Sequence, residues 1–345
     1  MRPPNALDGL LYGAGQAARV AWFAGHYVAG RRLLKPLPRP ARPVGPIPDR
    51  RELAAALLDL FRRDWRNVAA GLYAAPVALP TAPLRHLARS RDYFRDLPNV
   101  DRRRHGLARD DTVVDPRFTE LPRYFRQSFH YQSGGYLSDH SARLYDLQVE
   151  TLFTGAADAM RRQILAPLAA FLRGRNTRRA CLLDIGCGTG SLLGAIRRNW
   201  PGLSLCGVDL SEPYLAEAGR RLGRSRRLRL LAGAAEALPL PDASQDAIVC
   251  SFLFHELPPP VRARVVAEMA RVLKPDGQIC LLDSLQLGDR PGWDGLLDLF
   301  PHHFHEPYYA DYVRQDVAAL FAAHGLQLLE TRLAYLAKLF VFARA

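Results

Sequence analysis

Lysine is almost missing from this chain. Of its 47 basic residues only Lys35, Lys274 and Lys338 are lysines, and the rest are arginine. A net charge of +13 and a pI of about 9.9 would otherwise invite a nucleic-acid partner. An arginine bias this strong reads instead as a coding background. No lysine-rich patch or recognised RNA-binding module accompanies it, so no nucleic-acid partner is expected. The excess is uneven, with 24 basic against 15 acidic residues in 1–150 and 23 against 19 in the remainder. Cysteine is also scarce. The five residues (Cys181, Cys187, Cys206, Cys250 and Cys280) form no CxxC pair, and their odd count argues against a disulfide framework. Buried free thiols in a reducing, cytoplasmic compartment are expected, and the N-terminus has no secretory pattern. Long hydrophobic runs are missing too. The stretch Ala6 to Gly30 mixes large apolar residues with Gly and Ala, and Arg19 and His26 interrupt it. That is too polar for a membrane span. A docked structural helix is the first expectation, with peripheral membrane contact or a homodimer contact as alternatives.

The remaining chain falls into recognisable parts. Prolines at 36, 38, 40, 43, 46 and 48 give an extended, semi-rigid linker over 36–48, after an N-terminal helix in 1–35. Asp49 caps a helix with Glu52 as its capping-box partner. Residues 49–155 are expected to form a helical extension covering the active site. Within it, 74–121 are Pro-interrupted and Arg-rich and predict short helices and loops. Helices are expected at 142–153 and 156–173. From Arg179 onward apolar strands alternate with helices, near 180–185, 204–210, 228–232, 247–252 and 278–284. A helix at 311–324 and strands at 326–334 and 338–344 close the chain. This spacing predicts an α/β fold over 156–345: a doubly wound, mostly parallel Rossmann-like sheet of seven strands with an antiparallel hairpin at one edge.

The stretch with most chemistry is Leu182-Leu183-Asp184-Ile185-Gly186-Cys187-Gly188-Thr189-Gly190. An apolar strand runs into a glycine turn and a helix opens behind it. Glycines at i, i+2 and i+4 leave bare backbone against which a flat nucleoside-like ligand can lie. Asp209, at the end of the next strand, is placed to accept hydrogen bonds from ribose hydroxyls. Nicotinamide enzymes share that logic. Three details separate the two: the G-x-G-x-G spacing, the carboxylate of Asp184, which suits an amino group and would repel a pyrophosphate, and the segment Gly233 to Asp242 after the third strand.

With these motifs the chain resembles the class I S-adenosylmethionine-dependent methyltransferases, of small-molecule type. The matching residues are Asp184–Gly190, Asp209, Ala235–Pro241, Ser244-Gln245-Asp246-Ala247 and Leu273-Lys274-Pro275-Asp276-Gly277-Gln278. They cover about residues 178–284. The resemblance implies S-adenosylmethionine as cofactor and S-adenosylhomocysteine as product. It also implies a cofactor site built from Asp184, Gly186, Cys187, Gly188, Gly190, Asp209, Leu210, Ala234, Ala235, Glu236 and Ser251. Asp184 and the turn would hold the methionine part, Asp209 the ribose, and Leu210 and Ala235 the adenine. Ala234 departs from the pattern, because many relatives carry an Asp there that meets the adenine amino group.

Methyl transfer needs an acceptor placed in line with an activated sulfonium, and a base only where the acceptor loses a proton. Three polar clusters are candidates for the acceptor side. After strand four comes His255, a candidate base or hydrogen-bonding group, while Glu256 is expected to be structural. A substrate-covering segment contains His305, Glu306, Tyr308, Tyr309 and Tyr312. Because His302 and His303 are adjacent and rarely converge on one centre, no metal is expected there. The third cluster is Phe129–Ser141, with Tyr131, Gln132, Tyr136, Asp139 and His140 as pocket candidates. His255, His305, His140 and Tyr136 are thus the catalytic candidates. The Ser251-Phe252-Leu253-Phe254 sequence lacks the Asn/Asp-Pro-Pro-aromatic pattern of enzymes that methylate nucleic-acid amines. A small-molecule acceptor is expected, a lipid or quinone-like ring being the membrane-associated alternative, and a non-catalytic binding protein a third.

Overall fold

The computed structural model describes residues 5–37, 42–76, 83–106 and 118–345. Residues 38–41 of the expected linker, and 77–82 and 107–117 of the expected short-helix region, lie outside the described residues. Three long helices open the chain: α1 (Ala6–Leu33), α2 (Arg50–Ala69) and α3 (Pro83–Arg104). Asn5 with Asp8 and Asp49 with Glu52 each close a reciprocal capping box, so the first donors of α1 and α2 are satisfied. After α4 (Asp139–Leu152), α5 (Ala157–Arg162) and α6 (Leu165–Leu172), the strand–helix alternation begins. It runs β1 (Cys181–Ile185), α7 (Ser191–Asn199), β2 (Ser204–Asp209), α8 (Glu212–Leu222), β3 (Leu228–Ala232) and β4 (Gln245–Ser251). It continues with α9 (Pro259–Val272), β5 (Leu273–Ser284), α10 (Asp294–His303), α11 (Tyr309–Tyr312), α12 (Val317–Ala322), β6 (Leu326–Ala334) and β7 (Ala337–Arg344).

The seven strands lie in the order β3-β2-β1-β4-β5-β7-β6. β1 to β5 are parallel, and β7 is antiparallel to both β5 and β6. Central strands buried on both faces read as continuous apolar runs, and Leu182, Leu183, Ile248, Val249, Leu281 and Leu282 are fully buried. The order reverses between β1 and β4, which opens a crevice at their carboxyl ends.

Three expectations are corrected. The Arg-rich stretch after residue 83 forms one helix of 22 residues, although Pro98 lies inside it. Proline removes a single intrahelical bond, and tertiary contacts hold the helix on either side: before it Ser90 meets His26 at 2.9 Å and Ser133 donates to Asp96 at 2.6 Å, and after it Asp101 accepts from the Lys35 amide at 3.2 Å and Arg103 donates to the Tyr131 carbonyl at 3.1 Å. The helix expected over 311–324 is two short ones, because the Asp316 side chain accepts from the Ala319 amide and starts a new helix there. The span expected over 156–173 is likewise divided between α5 and α6.

The helical extension is fastened to the sheet region by buried charge. Asp64 is fully buried; it receives two forked bonds from Arg162 and hydroxyl bonds from Tyr12 (2.6 Å) and Tyr73 (2.7 Å). One carboxylate therefore joins α1, α2 and α5. Arg19 of α1 pairs with Glu150 and Asp158, and bonds the Gly155 carbonyl. α1 is thus docked against the protein through Tyr12, Gln16, Phe23 and His26, while Leu7, Leu10 and Leu11 are exposed. Among the described residues no helix is long and apolar enough to cross a membrane.

Candidate active site

The cleft at the β1/β4 crevice is floored by Gly186, Gly188, Asp209 and Leu210, with Gly233 and Ala235 at one side and Ser251 at the other. It encloses about 740 Å³, mouth included. Gly186 has φ +66°, and a Cβ there would lie 3.1 Å from Leu253, so the turn is open to glycine on both conformation and space. Gly190 is the left-handed N-cap of α7 and lets α8 approach; a Cβ would meet Leu222 at 2.9 Å. Thr189 and Ser191 both donate to Asp146 of α4, which also pairs with Arg221. The turn is therefore clamped by the extension.

Two carboxylates stand at this end: Asp209 in the cleft lining, and Asp184 buried in β1 beneath the turn and outside the lining. Asp209 accepts from the Gly188 and Ser211 amides, each at 2.8 Å. Burial raises its pKa and these amide bonds oppose the rise. Asp184 is 1 % exposed, and neither of its oxygens has a hydrogen-bond partner. Burial, then the nearby charge of Asp209, hold its pKa well above the ordinary carboxylate value, with Arg161 opposing. A buried carboxylate left unpaired is costly unless a ligand completes it. A bare left-handed turn, an unpaired buried carboxylate and a second carboxylate on the cleft wall fit a ligand with an ammonium group and vicinal hydroxyls. S-adenosylmethionine has both.

The opposite wall is aromatic. The extension contributes Tyr124, Phe125, Phe129, Tyr136 and Tyr145; Tyr214 comes from α8 and Phe252 follows β4. Phe129 and Phe125 stack on Tyr136 at 5.3 and 6.0 Å, and Tyr214 meets it edge-on at 5.4 Å. Ser211 ties this wall to the floor by donating to the Tyr136 carbonyl. Phe252 has φ +57°, a left-handed conformation unusual for an aromatic residue, at the strand end beside the cleft.

At the far end of the cleft is Glu256, which accepts from the Tyr136 hydroxyl at 2.6 Å. The expectation that Glu256 is structural is therefore corrected: it lines the cleft. His255, one residue earlier, faces away into a buried shell. Its Nδ1 lies 2.6 Å from Asp283, whose other oxygen accepts from the Leu253 and Phe254 amides. Burial opposes its charge, but Asp283, then Glu306 and Glu256, raise its pKa to about 9. A side chain already protonated at neutral pH, and outside the cleft lining, is a poor proton acceptor but a good electrostatic support for Glu256, 4.0 Å from its Nε2.

The other candidates divide cleanly. Gly186, Gly188, Asp209, Leu210, Ala235, Ser251 and Tyr136 line the cleft. Cys187 is buried behind the turn, Ala234 is outside the lining, and Glu236 accepts from the Tyr124 hydroxyl at 2.7 Å. Tyr309 and Tyr312 pack around His255 at 5.9 and 6.3 Å, with the Tyr309 hydroxyl against Ser284. Tyr308 accepts from Gln127 at 2.9 Å, Tyr131 packs on His305 at 5.7 Å, and Gln132 is buried. His140 and Asp139 occupy the first turn of α4, which Ser138 caps, and lie outside the lining. Sequence reasoning missed Tyr124, Phe125, Phe129, Tyr145, Tyr214 and Asp283. The signal for the first four was a density of aromatics around the Gly134-Gly135 pair, which does not by itself say which face is wet; Tyr214 in α8 and Asp283 in β5 had no local signal.

A methyltransferase-domain family profile matches residues 182–277. The chain is 32% identical over 197 residues to the ubiquinone/menaquinone biosynthesis C-methyltransferase of Methylobacterium nodulans, covering 56% of this chain and 74% of that protein. It is 35% identical over 103 residues to the demethylmenaquinone methyltransferase of Thermus thermophilus, covering 30% of this chain and about half (46%) of that one. A crystal structure of an S-adenosylmethionine-dependent methyltransferase from Aquifex aeolicus aligns with 20% identity and a TM-score of 0.39, covering 52% of this chain and 88% of that chain. With the glycine turn, both carboxylates and the seven-stranded order in place, the chain belongs to the class I S-adenosylmethionine-dependent methyltransferases.

Proposed function

We propose that this enzyme methylates a small, ring-bearing molecule carrying a hydroxyl or amino group, held in the cleft between the glycine turn and the aromatic wall. The observation that carries this reading is the wall itself: Tyr124, Phe125, Phe129, Tyr136 and Tyr214 face the floor across the space. Flat aromatic surfaces on one side and bare backbone on the other select a planar ligand. The named activity of the Methylobacterium relative, on a quinone ring, is in keeping with such an acceptor.

When bound, S-adenosylmethionine supplies an activated methyl group on a sulfonium. The chain's own residues then have four tasks. Asp184 would pair its carboxylate with the amino group of the methionine part, beside the turn at Gly186 and Gly188. Asp209 would accept from the ribose hydroxyls with the lone pairs its two amide partners leave free, and Leu210 and Ala235 would hold the adenine. The aromatic wall excludes water and sets the acceptor in line. Glu256, oriented by Tyr136, accepts a hydrogen bond from the acceptor's polar group, with His255 and Asp283 as positioning residues behind it.

The test is a screen of phenols, quinols, aryl amines and aliphatic acids with a labelled methyl donor. Turnover of ring-bearing acceptors, reduced by Phe129→Ala more in KM than in kcat, is expected. Turnover confined to aliphatic acceptors would overturn the reading.

A further inference from the structure

Behind the cleft the fold brings together three side chains that are far apart in sequence: His130 on the extension, Glu256 after β4, and Glu306 between α10 and α11. One donor atom from each lies within 4.8 Å of the others. His130 Nε2 is already 3.2 Å from Glu306 Oε1. Ligands about 2.1 Å from a tetrahedral ion are themselves about 3.4 Å apart, so this pair is at ligand spacing and Glu256 is at most about 1.4 Å beyond it.

Glu306 supplies a second, independent observation. It is 2 % exposed, and apart from the His130 contact at Oε1 its carboxylate makes no hydrogen bond. The neighbouring His255 is engaged with Asp283 through its Nδ1. A half-buried and a buried carboxylate with an imidazole in reach make a mixed nitrogen–oxygen donor set. His130 Nε2 is the ring atom that faces Glu306, so it is the nitrogen donor of the set. The Tyr136 hydroxyl fixes one Glu256 oxygen from outside, as the outer partner of a ligating carboxylate does.

We propose that His130, Glu256 and Glu306 form a binding site for one divalent first-row transition cation, Mn²⁺ or Zn²⁺, at the acceptor end of the cleft. One imidazole and two carboxylates suit these ions better than Mg²⁺ or Ca²⁺, which favour all-oxygen sets. Three protein ligands leave a position open, and because Glu256 also lines the cleft, that position is available to an acceptor oxygen. The site deepens the reading of a small acceptor in this cleft and rests on it only for what the open position meets; the binding of the ion is independent of it.

The experiment is calorimetric titration of chelator-stripped full-length protein with MnCl₂, ZnCl₂ and MgCl₂, with Co²⁺ absorption as a spectroscopic probe. One Mn²⁺ or Zn²⁺ per chain is expected, at least tenfold tighter than Mg²⁺, with a Co²⁺ band typical of mixed nitrogen–oxygen ligation. Glu306→Gln, which keeps the shape, should weaken binding at least tenfold. His130→Ala should change the Co²⁺ band, and the double variant His302→Ala/His303→Ala should leave both readouts unchanged. S-adenosylhomocysteine binding is measured on the same samples, so that a failed cofactor site and a failed metal site are separable. Absence of one-to-one binding in the wild type would overturn the proposal. So would Glu306→Gln binding as tightly as the wild type, or loss of binding on removing His302 and His303. Should a ligand variant fail to fold, the wild-type stoichiometry and Co²⁺ spectrum decide.

Discussion

Replacing Asp184 by Asn should move stability and cofactor affinity in opposite directions. The wild-type carboxylate is buried without a partner, and its pKa is raised by burial and by Asp209. A carboxyl that is harder to ionise in the folded than in the unfolded chain makes the folded form hold its proton more tightly. Stability therefore falls as pH rises from the ordinary carboxylate range through the raised value, and the penalty is fully present above it. Asn keeps the shape and removes the charge, although its amide is still unpaired. The gain for ligand-free protein is on the order of 1 kcal/mol, or about 2 °C in Tm for a chain of this size. It should be larger at pH 8 than at pH 5. Affinity should change the other way. One hydrogen bond between a carboxylate and a ligand ammonium contributes about 1.5–3 kcal/mol, so the variant should bind S-adenosylmethionine roughly 10- to 150-fold more weakly. Affinity of the wild type should rise with pH until Asp184 is ionised in the free protein, and the variant's profile should be flat over that range. Differential scanning fluorimetry with and without S-adenosylhomocysteine reads both effects: the variant melts higher alone, and the wild type gains more on adding ligand. A lower Tm for the ligand-free variant with unchanged affinity would refute the reasoning and make Asp184 a structural residue.

Three further outcomes follow from other parts of the molecule. Asp64→Ala leaves Arg162 unpaired in the interior and removes the acceptor of two tyrosine hydroxyls, so urea denaturation should show a loss of about 3–5 kcal/mol. Gly190→Ala puts a Cβ 2.9 Å from Leu222 at a left-handed residue; a loss of about 1–3 kcal/mol is expected in the same assay, and a neutral result would mean that α8 yields easily. Tyr136→Phe removes the hydroxyl that orients Glu256. It should lower kcat about tenfold with S-adenosylhomocysteine affinity within a few-fold of wild type, and an equal loss of both would show that Tyr136 serves the cofactor instead.

The cofactor end was legible because its parts are contiguous. An apolar strand, a glycine turn and a carboxylate 19 residues past Gly190 can be read along the chain, and β1 to β5 form near their expected positions. The acceptor end is assembled from positions 124–145, 252–257, 283 and 306, and no local pattern brings these together. His255 illustrates the difference. Its position after β4 suggested a base, but the Asp283 carboxylate that holds its Nδ1 comes from β5, 28 residues on, and turns it into a protonated support. Glu256 was read as structural because nothing nearby in sequence announces the Tyr136 hydroxyl. α3 was missed because Pro98 and its arginines mask a helix that tertiary contacts complete. The break before α12, by contrast, was announced by Asp316, a strong N-cap residue lying inside the span read as one helix.

The central claim is that the cleft between the Gly186–Gly190 turn and Asp209 holds S-adenosylmethionine. Calorimetric titration of purified full-length protein with S-adenosylmethionine and S-adenosylhomocysteine, alongside Asp209→Ala, tests it most directly. Removing a carboxylate that accepts two ribose hydroxyls should cost about 3 kcal/mol or more, a loss of at least roughly 100-fold. Micromolar binding of both ligands to the wild type, with that loss in the variant and an unchanged melting profile, is the result expected. Binding that is the same in the wild type and the variant, or no binding to the wild type, would contradict the account.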